Sequence, residues 1–223
     1  MLKFADYSKL DKIFEWDKVQ GIFLDIDDTL YNYNVCHEYA LKSCYKKLNP
    51  KIKKIKNQNK FFAEYKNYRK QISTEKKNNG LCRSRYLAFL YFLDNISNKN
   101  NFKDALILED IYWDKFISKI RPHKGLKEFL FKCKEKGIEV CAITDMQIRF
   151  QIKKIIKLGI NEYIDNIVSS EEAGCEKPNL NIFKLAYYKM SCDKKTIVMI
   201  GDNYKKDILG AKRFGIKSYQ LIL

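Results

Sequence analysis

Short apolar runs alternate with segments of helical periodicity over most of this chain, and this alternation limits the folds that it can adopt. An unbroken apolar run of about five residues is typical of a strand that is buried on both faces of a parallel sheet. We predict such strands at 20–24, 139–143, 166–169, 196–200 and 216–221. The helical periodicity predicts helices at 124–136, 147–157, 179–190 and 204–214. Strands that alternate with helices predict an α/β fold with a doubly wound, Rossmann-like parallel sheet.

Residues 31–117, between the first and second apolar runs, carry helical signals only. Candidate helices lie at 34–48, 59–72, 81–96 and 103–119. The segment Tyr86–Leu93 is apolar all round, so as a helix it would be buried within a small core of its own. We therefore predict an α/β core of residues 1–30 and 118–223, with a small helical cap subdomain of residues 31–117.

The chain has 223 residues and a formal net charge of +16, which comes from lysines that are densest between Lys42 and Lys77. A solvated helical face explains this pattern more simply than a nucleic-acid or membrane-surface patch, because the lysines do not follow a known binding motif. We therefore predict no nucleic-acid partner and no membrane partner. The oligomeric state is left open.

Cysteine usage and hydropathy bear on the cellular compartment. Seven cysteines without a Cys-x-x-Cys pair predict free thiols in a reducing cytosol, not a disulfide framework. The N-terminal residues lack the apolar stretch of a signal peptide. The most apolar run, Tyr86–Leu93, has eight residues, whereas a membrane-spanning helix needs about 20. These patterns predict a cytoplasmic protein without a membrane span.

Polar side chains follow the predicted strands at the points where the strands end. The carboxyl ends of parallel strands share one edge of a sheet, and ligands of open α/β sheets bind there. The residues expected at this edge are Asp25-Ile26-Asp27-Asp28-Thr29, Thr144-Asp145, Lys177, Gly201-Asp202-Asn203 and Asp207. In an extended chain Asp25 and Asp27 would share a face and repel each other unless a divalent cation lay among them. The pattern predicts a Mg²⁺ site that Asp202 completes.

These residue types suit phosphoryl transfer. The Asp25 carboxylate can attack phosphorus and form an aspartyl-phosphate, which divides one difficult hydrolysis into two easier transfers. Asp27 can protonate the leaving oxygen and later accept a proton from the attacking water. The Thr144 hydroxyl and the Lys177 ammonium suit the phosphoryl oxygens that carry charge in the transition state.

The same residues, in this order and spacing, resemble the four motifs of the haloacid dehalogenase-like superfamily, in its branch with a helical cap inserted after the first strand. The resemblance covers nearly the whole chain. It implies that Asp25 is the nucleophile and a metal ligand. It also implies that Asp27 is the acid/base and a ligand through its backbone carbonyl, and that Asp202 is the remaining protein ligand.

The resemblance extends to the residues around these positions. It places Asp207 near the metal or beside Lys177, with Asn203 as a further supporting residue. The run Thr144-Asp145-Met146 departs from the family, in which Asn-Gly commonly follows the threonine. We place Asp145, together with Thr144 and Lys177, among the candidate substrate contacts.

The sequence therefore predicts a Mg²⁺-dependent phosphomonoesterase that acts on a small phosphorylated metabolite, such as a sugar phosphate or a similar phosphorylated alcohol. A nucleoside monophosphate phosphatase is the alternative, and a basic nucleic-acid-binding protein with a decayed phosphatase site is a further one. A dehalogenase of the same fold would lack the acid at position 27. In the cap, Arg83 and Arg85 are candidate substrate contacts, and because residues two apart do not share a helix face, at most one of them would point at the substrate.

Overall fold

The protein is described by a computed structural model over residues 2–48, 57–75, 80–97 and 100–222. The chain divides into two compact units. Met1–Asn32 and Ile120–Leu223 form the first, which we call the sheet unit, and Tyr33–Lys119 forms the second, which we call the helical unit. The predicted boundaries lie within two residues of this division, and the assignment of the helical unit as a cap stays a prediction.

The sheet unit is built on one sheet whose described strand pairs are all parallel. Its strands are β1 (Leu2–Phe4), β2 (Gly21–Leu24), β3 (Glu139–Thr144), β4 (Asn166–Ser169), β5 (Ile197–Gly201) and β6 (Lys217–Leu221). Their order across the sheet is β1-β6-β5-β2-β3-β4. The predicted doubly wound parallel sheet is confirmed. Only β1 was not predicted, because three residues at the sheet edge are too short for a recognisable apolar pattern.

Helices connect the strands, and the regular elements of the helical unit are all helical over the residues that the structure describes. In chain order, the α-helices of the described ranges are α1 (Tyr7–Ile13), α2 (Tyr33–Leu48), α3 (Gln58–Glu75), α4 (Arg85–Ile96), α5 (Phe102–Lys119), α6 (Leu126–Glu135), α7 (Ile148–Leu158), α8 (Ser170–Ala173), α9 (Leu180–Tyr188) and α10 (Leu209–Phe214). Within these ranges no helix is both long and apolar enough to cross a membrane.

Strand β2 lies at the centre of the sheet and determines where the site forms. All four of its residues are buried, and it pairs with β3 on one side and β5 on the other. The chain passes from β2 through β3 to β4 and then returns to β5 on the opposite side of β2. The strand order reverses at this point, and open α/β sheets bind ligands in the crevice that such a reversal leaves at the carboxyl ends.

The segment predicted as one helix at 204–214 has two parts. A π-helical turn covers Tyr204–Ile208, and α10 follows it directly. The wide turn is closed by backbone hydrogen bonds from the amides of Asp207 and Ile208 to the carbonyl of Asn203, with N···O distances of 2.8 and 3.4 Å. It turns the Asp207 side chain into the protein, where it is fully buried. Wide turns of this kind occur frequently at functional sites.

The helical unit has its own core, as its apolar segment predicts. Helix α4 buries Ala88, Phe89, Phe92 and Leu93. The ring of Phe92 contacts Phe61 of α3, with 5.2 Å between their centroids. Helix α4 starts at a cap formed by Ser84, whose hydroxyl accepts a hydrogen bond from the Leu87 amide at 3.2 Å. This cap separates α4 from a short 3-10 turn at Gly80–Arg83, and so the predicted helix 81–96 is interrupted.

Candidate active site

Lys177 joins two of the predicted acidic residues at the carboxyl edge of the sheet. Its ammonium lies 2.5 Å from Asp25 Oδ1 and 2.7 Å from Asp207 Oδ1. It also donates to the backbone carbonyl of Ile143 at 2.9 Å. Burial would lower the pKa of Lys177, but the nearby charges of Asp207 and Asp25 raise it above its ordinary value. Lys177 is therefore charged in this site.

Three carboxylates lie together beside this lysine. Asp25, Asp202 and Asp207 each contribute one oxygen, and these oxygens lie within 4.8 Å of one another. Burial, followed by the charge of Asp207 and then Asp27, raises the pKa of Asp25 to about 7 against the opposing effect of Lys177. Burial and the charge of Asp25 raise the pKa of Asp202 to about 7 as well. The cluster therefore concentrates negative charge that one ammonium does not balance.

The donor set fits Mg²⁺. Carboxylate oxygens are the ligands that this cation prefers in proteins, and it is commonly held by one or two of them together with substrate phosphate oxygens. A divalent cation among the three carboxylates would favour their ionised forms and offset their repulsion. Asp25 and Asp202 are the two predicted side-chain ligands that the structure brings together.

Thr29 connects Asp25 to Asp202. Its hydroxyl oxygen lies 2.9 Å from Asp25 Oδ2 and 3.1 Å from Asp202 Oδ1, and it accepts a hydrogen bond from the Asp202 amide at 3.0 Å. The chain brings it there through Asp28, which has the left-handed φ of 62° that Asp tolerates better than most residues. No role was predicted for Thr29 alone, although its place in the first motif was a usable signal.

The segment Gly201–Asn203, which precedes Asp207 in the fourth motif, holds the Asp207 side chain in place. Its Oδ2 accepts a hydrogen bond from the Asn203 amide at 2.9 Å. A side chain at Gly201 would overlap the Asp207 carboxylate, so this position requires glycine. Asp207 thus contacts both Lys177 and Asn203, and the functional roles of the three residues stay predictions.

The Asp27 side chain lies apart from the three-carboxylate cluster. Its carboxylate pairs with Lys154 Nζ at 2.6 Å, accepts from Gln151 Nε2 at 3.2 Å, and receives a short hydrogen bond from the Tyr31 hydroxyl. The expected crowding of Asp25 and Asp27 around one metal therefore does not occur through their side chains, because the extended conformation ends at Leu24. Burial would raise the pKa of Asp27, but the ion pair with Lys154 and the two hydrogen bonds lower it.

Thr144 is reached by the same helix that reaches Asp27. The hydroxyl of Thr144 is buried at the end of β3 and accepts a short hydrogen bond from the Gln151 side-chain amide. Lys154 and Gln151 were not predicted from the sequence. Their spacing of three residues on α7 puts them on one helix face, but nothing in the pattern indicated what that face would contact.

Asp145 has partners other than a substrate. Its Oδ1 accepts the Lys177 backbone amide at 2.7 Å, and its Oδ2 pairs with Lys206 Nζ at 2.6 Å. Lys206 also pairs with Glu176 at 2.9 Å. Both carboxylate oxygens are engaged within the protein, so the geometry supports a structural connection from Asp145 to Lys177 and to the π-helical turn that carries Lys206, while the substrate contact stays a prediction.

The two candidate arginines belong to the helical unit. Arg85 is 4% exposed, donates to the Tyr33 hydroxyl at 2.6 Å, and lies 5.3 Å from the ring centroid of Tyr112 and 5.6 Å from that of Trp113. Its guanidinium is packed inside that unit, and this placement gives no support to a substrate contact. Arg83 is partly exposed, and its role stays a prediction.

Comparisons with known proteins bear on the chemistry of this site. A family model described as haloacid dehalogenase-like hydrolase matches residues 19–215. The chain is 30% identical over 207 residues to the glyceraldehyde 3-phosphate phosphatase of Methanothermobacter thermautotrophicus, which covers 90% of this chain and 84% of that protein. It is 27% identical over 199 residues to the ribulose-1,5-bisphosphate 5-phosphatase of Halopiger xanaduensis, which covers 89% of this chain and 82% of that protein.

Solved structures share the architecture. The magnesium-bound HAD-hydrolase YfnB from Bacillus subtilis superimposes with a TM-score of 0.70 at 18% identity, over 90% of this chain and 87% of that one. A HAD phosphatase from Thermococcus onnurineus superimposes with a TM-score of 0.63 at 15% identity, over 92% and 86% of the two chains. At these identities the likeness concerns the fold.

Proposed function

Because this chain belongs to the haloacid dehalogenase-like hydrolase family and is a phosphoric monoester phosphatase, we propose that it hydrolyses a small sugar phosphate through an aspartyl-phosphate on Asp25, with Mg²⁺ as cofactor. The observation that carries this proposal is the position of the Asp25 carboxylate, which lies beside Lys177 and within the cluster formed with Asp202 and Asp207. The substrate class is supported by the names of two relatives, both of which specify phosphorylated sugars.

In the first step, Asp25 attacks phosphorus and the bond from phosphorus to the sugar oxygen breaks. Asp27 gives its proton to that oxygen. The anionic phosphate, bound nearby, raises the pKa of Asp27 by charge repulsion and so favours the protonated form that this step needs. Lys177 and the Thr144 hydroxyl hold the phosphoryl oxygens as their charge changes.

In the second step, water attacks the aspartyl-phosphate and Asp27 accepts a proton from that water. The ion pair with Lys154 favours the ionised form of Asp27 that accepts this proton. Mg²⁺, held by Asp25 and Asp202 with Asp207 beside them, would neutralise charge on the substrate when bound. Inorganic phosphate and the free sugar are the products.

We also infer that the protein works in the reducing cytosol. All seven cysteines are free thiols, and six of them are buried. Burial raises the pKa of Cys133 and Cys141 to about 12, so these thiols are protonated and unreactive under ordinary conditions.

The proposal is tested with Asp25→Asn and a panel of sugar phosphates, with nucleoside monophosphates as the alternative substrate class. Removal of the nucleophile is expected to lower phosphate release by orders of magnitude while the folded state persists. Asp17→Asn is the matched control, because the Asp17 side chain is 97% exposed. After acid quenching, protein incubated with substrate labelled at phosphorus should carry the label in the parent and the control only.

Three outcomes would each contradict one part of the proposal. Substantial turnover by Asp25→Asn, after contaminating phosphatase has been removed, would exclude the covalent route. Undiminished turnover in excess chelator would show that the reaction does not need Mg²⁺. A panel in which nucleoside monophosphates are the best substrates would replace the sugar phosphate class.

A further inference from the structure

The side chain of Asp27 is held by one face of helix α7 in addition to Tyr31. Gln151 and Lys154 are both fully buried, and each donates to a different oxygen of the Asp27 carboxylate. They are three residues apart, so they lie on the same helix face. The proposed reaction gives Gln151 no role and uses Lys154 only for its charge.

Burial of the Lys154 ammonium costs free energy that its contacts must offset. An ammonium group without access to solvent is costly unless it is paired and hydrogen-bonded. Its pair is Asp27 Oδ1 at 2.6 Å, the sulfur of Met146 lies 3.5 Å away, and the ring centroid of Tyr31 lies 5.9 Å away. A lysine at this position therefore ties α7 to one oxygen of the residue that carries the proton.

Gln151 connects the other oxygen of Asp27 to the phosphate-binding position. Its amide nitrogen lies 3.2 Å from Asp27 Oδ2 and also donates to the hydroxyl of Thr144. One side chain thus sets the separation between the carboxylate and the hydroxyl. The two oxygens of Asp27 differ as a result, because Oδ1 receives both Lys154 and Tyr31, whereas Oδ2 receives the longer bond from Gln151.

We propose that Lys154 and Gln151 are positioning residues that hold Asp27 so that Oδ2, next to Thr144, transfers the proton to the leaving oxygen. This proposal rests on the proposed phosphatase function. In the step concerned, the bond between phosphorus and the leaving oxygen breaks, the bond from Asp25 to phosphorus forms, and the proton moves from Asp27 Oδ2 to the leaving oxygen. Lys154 keeps the carboxylate from rotating while the proton moves.

The test compares kcat/KM of Lys154→Met for two substrates that differ in their need for a proton. The leaving group of an aryl phosphate departs without protonation. The leaving group of an alkyl phosphate, such as a sugar phosphate, must be protonated as it departs. If leaving-group expulsion is the first irreversible step, kcat/KM reports the chemistry up to and including it. We expect a loss of roughly 10- to 100-fold for the alkyl phosphate and a much smaller loss for the aryl phosphate.

The ratio of the two kcat/KM values does not depend on how much of a variant is folded, so partial unfolding cannot imitate the expected result. Lys153→Met is the matched control, because Lys153 is an exposed lysine next to Lys154 on the same helix. It should leave both values unchanged. Gln151→Met is the second variant, and it keeps the ion pair between Lys154 and Asp27. Like Lys154→Met, it should lower kcat/KM for the alkyl phosphate more than kcat/KM for the aryl phosphate.

Lys154→Met in an Asp27→Asn background shows whether Lys154 acts through Asp27. We expect Lys154→Met to cause little further loss of kcat/KM for the alkyl phosphate there, because an asparagine at position 27 cannot donate the proton. Equal losses on both substrates in both α7 variants, unchanged activity in both, or a full additional loss in the Asp27→Asn background would overturn the proposal. Failure of the parent protein to hydrolyse any phosphate ester would instead defeat the proposed function.

Discussion

Four aspartates of the sheet unit carry the same functional group, and only their partners distinguish them. Asp25 contacts Lys177 and Thr29, which suits a nucleophile held next to phosphoryl oxygens. Asp27 contacts residues of α7, which suits a proton carrier held apart from the metal site. Asp202 and Asp207 lie with Asp25 in the carboxylate cluster. Residue type alone could not have separated these roles.

Asp145 contacts the Lys177 amide and Lys206, so its replacement tests whether this connection supports the site. Asp145→Ala removes the acceptor of the Lys177 amide and the partner of Lys206, so Lys177 should shift and kcat/KM should fall by roughly 10- to 100-fold. Asp145→Asn keeps an acceptor and should lose much less. Lys206→Met removes the ion pairs with Asp145 and Glu176 but keeps the acceptor of the Lys177 amide, so its loss should resemble that of Asp145→Asn. Parent-like kcat/KM in Asp145→Ala would show that this connection does not position Lys177.

At the scale of elements, helices and turns carry residues whose orientation their own sequence does not reveal. Helix α7 presents an apolar pattern with two polar residues on a buried face, and the partner of that face determines their role. The π-helical turn Tyr204–Ile208 directs Asp207 inward, although the sequence there is compatible with a regular helix. Helix α4 begins with a buried arginine, because the aromatic rings and the Tyr33 hydroxyl of the same unit surround its guanidinium.

Arg85 therefore stabilises the helical unit, and its replacement should act on stability before specificity. Arg85→Ala removes a charged hydrogen bond to Tyr33 and leaves a poorly packed interior, so the free energy of unfolding should fall by about 2 kcal/mol. Arg83→Ala, on the preceding turn, should cost less because Arg83 is partly exposed. Chemical denaturation measures both values.

The kinetics of Arg85→Ala with two substrates distinguish a stabilising residue from a substrate contact. Any loss of kcat/KM in Arg85→Ala should be equal for a sugar phosphate and an aryl phosphate, since a residue inside the helical unit has no contact that separates them. A stable Arg85→Ala variant with a loss confined to the sugar phosphate would instead establish Arg85 as a substrate contact.

At the scale of the whole molecule, the order of the strands concentrates acids in a strongly basic protein. The net charge is +16, yet β2 and β5, as neighbouring strands, bring Asp25 and Asp202 together at the carboxyl edge of the sheet. Burial raises the pKa of both carboxyls to about 7, whereas in an unfolded chain an aspartate has a pKa of about 3.9. A divalent cation bound there would therefore compete with protons for the same oxygens.

Such competition would make the free energy of unfolding depend on pH and on Mg²⁺ together. Between about pH 4 and pH 7 the folded metal-free protein binds protons that the unfolded chain does not, so its free energy of unfolding falls as pH rises. Mg²⁺ needs the ionised carboxylates, so its stabilising effect grows over the same interval. The increase in Tm on adding Mg²⁺ to chelated protein should be larger at about pH 8 than at about pH 5.5.

Asp202→Asn is the control for this measurement, because it should reduce the increase in Tm at the higher pH. An increase that is equal at the two pH values, or larger at the lower one, would show that protons and Mg²⁺ do not compete at these carboxylates.

The net charge of +16 also bears on partners, and the absence of a nucleic-acid partner stays a prediction. Scattered lysines should give weak binding to duplex DNA or RNA that disappears as salt increases, because such binding comes from counterion release alone. Fluorescence anisotropy over a range of salt concentrations measures this. Tight, sequence-selective binding near physiological salt would contradict the prediction and revive the nucleic-acid alternative.

Much of the fold and the outline of the site could be predicted from the sequence. The alternating apolar runs determined five of the six strands, because burial on both faces of a parallel sheet demands unbroken apolar residues. The positions of Asp25, Thr144 and Asp202 followed, since strand ends in a parallel sheet share one edge. The family also followed from these motifs, and the family match over residues 19–215 confirms it.

What the tertiary structure alone decided is which side chains meet across the sheet and its helices. The pairing of Lys154 with Asp27 joins residues 127 positions apart, and the bond from Thr29 to Asp202 joins residues 173 positions apart. No local periodicity encodes such contacts, because they depend on the register and packing of elements distant in sequence. A buried lysine and an exposed one look alike in a sequence of scattered lysines, and only packing determines which ammonium must find a carboxylate.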